Sequence, residues 1–346
     1  MPSEETLERI ADSIDRLISI DFSGRGIIGK LYAHARAREG RSPTLVAAEK
    51  LKAALSEPGK VAVIITGFVC PYELRGMPCV VGETDGPPGA VALARILALS
   101  LRAIPVLVTE EVAVEAMSAC ARAAGLFVTD LESARKNSLE AKMGTTAVVL
   151  GFPMGDEAGK KAAREMVQRL QPAAVVVSEK MGPNERGVVV SSSGTKLNEQ
   201  IRADFLIEEA RRRGAPAIGV GDGGNEMGMI LIKDGIYKDI PYGKESRFGG
   251  GPMPPAVETD VILPAIVSNW GTHAIGACLL AMLDRPELLY TEELEARVME
   301  RAAECGYIDA SSNLCEPAAD GLPLGVHTSF VKLLATVVRK GLTGWV

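Results

Sequence analysis

A doubly wound α/β fold is predicted: a mostly parallel sheet with helices on both faces and helical N- and C-terminal extensions. Three features of the sequence predict it. Short runs, apolar throughout and rich in β-branched residues, recur at 61–66, 105–109, 146–150, 173–178, 215–220 and 261–263. Segments with apolar residues at helical spacing lie between them, at 90–101, 111–124, 157–170 and 201–213. Glycine-rich polar stretches follow several of the strands. Strands without a polar face are buried on both sides, and a helix after each one is the pattern of a parallel sheet.

The first sixty residues precede this alternation. Leu7, Ile10, Ile14, Leu17 and Ile18 fall at helical spacing, and residues 45–55 repeat the pattern. Residues 1–59 are therefore expected as a helical extension, 60–285 as the α/β core with the ligand loops, and 286–346 as a second helical extension interrupted at 309–324. One domain can hold all three. Two helical extensions outside a sheet also predict a homo-oligomer, because closed self-association is a common use of surplus helix faces.

Composition narrows the function. The 346 residues are 47% hydrophobic and 24% charged, ordinary globular proportions that exclude a disordered chain. Acidic residues outnumber basic ones by 44 to 38, a net charge of −6, so neither nucleic acid nor an anionic membrane is an expected partner. Six cysteines without a C-x-x-C pair fit a reducing, cytoplasmic setting, and Cys70 and Cys79 read as plain thiols. The acidic N-terminus has no signal-peptide pattern. Residues 261–283 carry no formal charge, but Ser268, Asn269 and His273 would be stranded in a bilayer. A buried strand, a polar loop and a buried helix are expected there.

Ligands of open parallel sheets bind beyond the carboxyl ends of the strands, so the unusual loops converge on one expected site. The stretch 82–90, G-E-T-D-G-P-P-G-A, puts Glu83 and Asp85 one residue apart on a backbone stiffened by two prolines. A turn needs only one acid, whereas two fixed carboxylates suit a divalent cation or an ammonium group. The stretch 219–228, G-V-G-D-G-G-N-E-M-G, follows a strand and is expected to open a helix. Gly219, Gly221 and Gly224 spell G-x-G-x-x-G, which makes an NAD- or nucleotide-binding enzyme an alternative, although Asp222 would repel a pyrophosphate. Gly223 and Gly224 offer backbone amides to a substrate carboxylate, and Asp222, Asn225 and Glu226 add two acids and an amide. Glu83, Asp85, Asp222 and Glu226 would repel one another if left unpaired. A divalent ion, Mg²⁺ or Mn²⁺, is therefore the expected cofactor, with no organic cofactor.

Other residues are weaker candidates. Glu179 and Lys180 set an acid beside a base after a strand, and Arg186 and Lys196 follow, the latter among hydroxyls that suit an anion. In S-N-W-G at 268–271, Asn269 is either a helix cap or a ligand contact. His273 is the histidine best placed for acid–base work, and His34, His273 and His327 are too scattered for zinc. The run 247–255, R-F-G-G-G-P-M-P-P, is a lid or a linker.

The motifs at 82–90, 219–228 and 268–271, in that order, resemble the D-glutamate cyclase C-terminal domain family, with Thr66-Gly67-Phe68 and Arg25-Gly26 as further landmarks. The resemblance covers roughly residues 20–285. It implies a carbon–oxygen lyase closing D-glutamate, or a related acidic amino acid, to 5-oxo-D-proline with loss of water. On that reading Glu179 is the base for the ammonium proton and Lys180 the acid for the departing oxygen. Asp85 and Asp222 would hold a catalytic ion with Glu83 and Glu226, while Arg25, Gly67, Gly223, Gly224, Asn225 and Asn269 would contact substrate. A sensor that binds metal and amino acid without turnover is the non-enzymatic alternative.

Overall fold

Seven parallel strands form the central sheet of the computed structural model, which describes residues 2–74, 77–140, 145–197 and 200–343. The side chains of residues 70–81, Cys70 and Cys79 among them, lie outside the described residues. Three helices, α1 (Glu4–Ile18), α2 (Ile28–Glu39) and α3 (Pro43–Ala54), precede β1 (Val61–Thr66). A hairpin of β2 (Val69–Leu74) and β3 (Met77–Gly82) leads to α4 (Pro87–Leu101) and β4 (Ile104–Glu110). Then come α5 (Val114–Ala123), β5 (Phe127–Val128), α6 (Leu131–Glu140), β6 (Thr146–Phe152), α7 (Asp156–Leu170) and β7 (Pro172–Ser178). The chain continues through α8 (Ala203–Arg212), β8 (Ala217–Gly221), α9 (Lys233–Asp239), β9 (Val261–Pro264), α10 (Ser268–Met282) and α11 (Glu292–Glu304). It ends with the short pair β10 (Ala318–Ala319) and β11 (Leu322–Pro323), then α12 (Leu324–Thr343).

All six predicted strands are present, and the doubly wound reading holds. The strand order is β5-β6-β4-β1-β7-β8-β9. The chain builds outward from β1 on one side, then returns to lay β7, β8 and β9 on the other. The order reverses at β1 and β7, the position where such sheets leave a crevice at their carboxyl ends. Alternate strand residues serve two layers. Val63, Ile65, Val106 and Val175 pack with α7 and α8, while Ala62, Ile64, Leu107 and Val176 pack in the larger layer with α4 and α10.

The middle of that larger layer is α10, whose fifteen residues are all buried. The uncharged stretch 261–283 is therefore β9, a bend and an enclosed helix, as its polar centre predicted. Helices α1, α3 and α12 pack on α10, so both chain ends share one hydrophobic core with the sheet. Among the described residues no helix is long and apolar enough to cross a membrane.

Candidate functional site

Loops after β1, β3, β7 and β8 surround a cavity of about 390 Å³ at the reversal of strand order. Glu83, Glu179, Asp222, Asn225 and Glu226 line it from these loops. Phe22 and Arg25 come from the turn before α2, and Ser311 and Asp320 from the segment before α12. Arg25 is the cationic side chain of this lining among the described residues.

Three of the carboxylates converge. Glu179, Asp222 and Glu226 each present an oxygen within 4.8 Å of the other two. The Gly223 and Gly224 amides donate to Glu226 Oε1 and Oε2 at 2.9 and 3.0 Å. The amides expected to greet a substrate carboxylate are thus already engaged, and they fix Glu226 in place. Ser268 Oγ donates to Glu179 Oε2 at 2.6 Å, and Arg25 pairs with Asp222 at 3.0 Å. Burial, then the neighbouring carboxylates, hold Glu83 and Glu179 well above the usual range for glutamate. Burial and Asp222 push Glu226 up to about 8. Crowding and burial together disfavour the charged forms of these carboxylates.

Asp85 and Asn269 do something else. Asp85 Oδ1 accepts from the amides of Gly86 and Asn269 at 3.0 and 2.8 Å, and Oδ2 from Ser268 N at 2.8 Å. It thereby caps the start of α10 from a distant loop. Asn269 returns the service: its Oδ1 accepts from Gly86 N and Gly89 N at 3.0 and 2.7 Å, at the start of α4. Its Nδ2 donates to Thr84 O at 3.1 Å. The two helices approach so closely that a Cβ at Gly89 would sit 2.6 Å from Asn269 Cα. Asp85, expected as an ion ligand, has both oxygens committed to amides and stands outside the converging three. Asn269 caps α4 rather than its own helix.

Lys180, expected as an acid, is fully buried and does not line the cavity. Its Nζ donates to Gly67 O at 2.5 Å and pairs with Glu110, tying the ends of β1 and β4 to the loop after β7. His273 pairs with buried Glu295 of α11 at 3.1 Å, away from the cavity. Asn184 Nδ2 donates to the carbonyls of Gly250 and Pro252 at 2.9 and 2.7 Å, and Arg186 to that of Gly249 at 3.0 Å, so the 247–255 run is pinned as a linker. Lys196 does not line the cavity, although its neighbours Ser191 and Ser192 do. The loop after β8 enters a short 3-10 helix (Met229–Ile232) that runs directly into α9, and Gly223 and Gly224 precede that start by several residues, with their amides engaged by Glu226.

Asp320 escaped the sequence reading. Asp320 and Gly321, with φ of +54° and +75°, form the two-residue turn between β10 and β11. The Asp-Gly pair was the available signal, since such turns favour it, but it lay beyond the strand–helix alternation. Asp309 anchors the segment by accepting from the amides of Gly321 and Ser312, both at 2.9 Å. Backbone bonds of 2.8 Å from Ile308 N to Gly82 O and from Thr84 N to Ile308 O attach it beside Glu83.

The family described as D-glutamate cyclase-like, C-terminal, matches residues 14–335, across both expected segment boundaries. The human protein named D-glutamate cyclase, mitochondrial, is 27% identical over 278 residues, which are 78% of this chain and 38% of that protein. The chain thus spans well under half the length of that relative.

Proposed function

This chain belongs to the D-glutamate cyclase-like, C-terminal family, and from that premise we propose that its cavity closes D-glutamate, or a related acidic amino acid, to 5-oxo-D-proline and water with the help of a divalent ion. The observation that carries the reading is the convergence of Glu179, Asp222 and Glu226 within 4.8 Å on the cavity wall. An all-oxygen donor set fits a hard cation such as Mg²⁺ or Mn²⁺. An ion held there would supply Lewis-acid polarisation of the substrate's γ-carboxyl group.

The reaction joins the α-nitrogen to the γ-carboxyl carbon and breaks one carbon–oxygen bond. Two protons leave the ammonium group and depart with that oxygen as water. Glu83 lines the cavity, and its burial beside other acids gives it the proton affinity a base for an ammonium group needs. That task, expected of Glu179, suits Glu83 better because Glu179 belongs to the converging three. Arg25 suits the α-carboxylate. Holding amine and carboxyl in one cavity supplies much of the rate of a five-membered closure. The dinucleotide alternative loses its footing, because the Gly223 and Gly224 amides are engaged by Glu226.

Purified protein given D-glutamate with Mg²⁺ or Mn²⁺ should form 5-oxoproline, read by mass spectrometry and chiral chromatography. Asp222→Asn should slow it at least ~100-fold. Metal binding without product from any acidic amino acid would overturn the catalytic reading in favour of the sensor.

A further inference from the structure

We propose that Asp320, carried into the cavity by the C-terminal segment, receives the ammonium group of an amino-acid ligand, in a subsite separate from Glu179, Asp222 and Glu226. The proposal rests on the reading above for the class of ligand and names the residue that would distinguish an amino acid from a plain dicarboxylate.

Asp320 lines the cavity, and its Oδ2 is buried without a hydrogen-bond partner. A second, independent group points the same way. Asn225 is 2% exposed, lines the same cavity, and its Oδ1 also has no partner. Both unfilled positions are acceptors, and buried acceptors left unmade are costly, so the missing partner is a donor. An ammonium group brings three donors and a positive charge. A second divalent ion would need several oxygens in reach at once. Among the described residues, the acids that converge closely enough are Glu179, Asp222 and Glu226, and Asp320 is not in that group.

The placement of Asp320 is built rather than incidental. Gly321, its neighbour in the turn, donates its amide to Asp309, which is 1% exposed. Arg25 lines the same cavity, so an ammonium and a carboxylate each meet an opposite charge. An α-amino acid carries both.

Calorimetry on the full chain loaded with Mg²⁺ or Mn²⁺ tests the assignment. Ligands are D-glutamate, L-glutamate and D-aspartate, set against glutarate and succinate, which lack the amine. Wild type should bind an amino acid at least tenfold more tightly than its deamino counterpart. Asp320→Asn should weaken the amino acid about tenfold to a hundredfold, leave the dicarboxylate unchanged, and leave affinity for the metal alone within twofold. Asp320→Ser, checked for an unchanged melting temperature, guards against a folding artefact of one variant. Equal weakening of amino acid and dicarboxylate, loss of metal binding, or no amino-acid binding by wild type would each overturn the proposal. Amino-acid binding that depends on Asp320 but yields no 5-oxoproline would uphold it and defeat the cyclase reading instead.

Discussion

Glu226 binds two glycine amides and still keeps its proton up to about 8, against an ordinary value of 4.5, because burial and Asp222 oppose its charge. Between 4.5 and about 8 the folded chain holds a proton that the unfolded chain has released, so stability is greatest below that window and declines as pH rises through it. Asp85, pushed up to about 7 by burial and Asp222, acts in the same direction. Metal-stripped protein should therefore melt at progressively lower temperature across this range. Saturating Mg²⁺ should flatten the decline, since the ion binds the deprotonated acids. A flat profile in the stripped protein would contradict the crowding of these carboxylates. The acids were legible in the sequence because they sit in glycine-rich loops after strands. The commitment of Asp85 to helix amides was not, because it depends on which helix start lies opposite.

Helices α4 and α10 hold each other's first turns through Asn269 and Asp85, and Gly89 lets them touch. Asn269→Ala would leave the Gly89 amide buried without an acceptor and take from the Gly86 amide one of its two, Asp85 remaining, and should cost about 1–3 kcal/mol of stability. Urea unfolding measures it, and a loss under ~1 kcal/mol, the ordinary size of one exposed cap, would show that the reciprocal arrangement matters little. At this scale the sequence was informative wherever an element is apolar. Six of the seven sheet strands announced themselves by apolar runs rich in Val and Ile, whereas the two-residue β5 is too short to leave such a run. The β2–β3 hairpin did not, since V-C-P-Y-E-L and M-P-C-V-V-G mix prolines and a glutamate into what is nonetheless a paired ladder. Helix α6 buries only Ala134 and Ser138 and so shows no apolar stripe.

The cavity draws on parts of the chain far apart: Arg25 before the sheet, the strand-end loops within it, and Asp320 after it. A fragment of residues 60–285 would lose both outer contributors and strip α10 of α1, α3 and α12. It should show no cooperative thermal transition by circular dichroism; a fragment that melts like the full chain would refute the single shared core. The apolar faces of α1 and α12, which suggested a partner copy, are spent inside this chain, so self-association would use another surface. The reciprocal capping of α4 and α10 also bears on synthesis. Asp85 is made 184 residues before Asn269. At about 5–20 residues per second, that is a delay of roughly 10–40 s. Five of the seven sheet strands are complete by Ser178, yet the start of α4 stays uncapped until α10 leaves the ribosome. A nascent chain can thus own most of its sheet while its ligand cavity does not yet exist, and a stalled chain has nothing with which to bind.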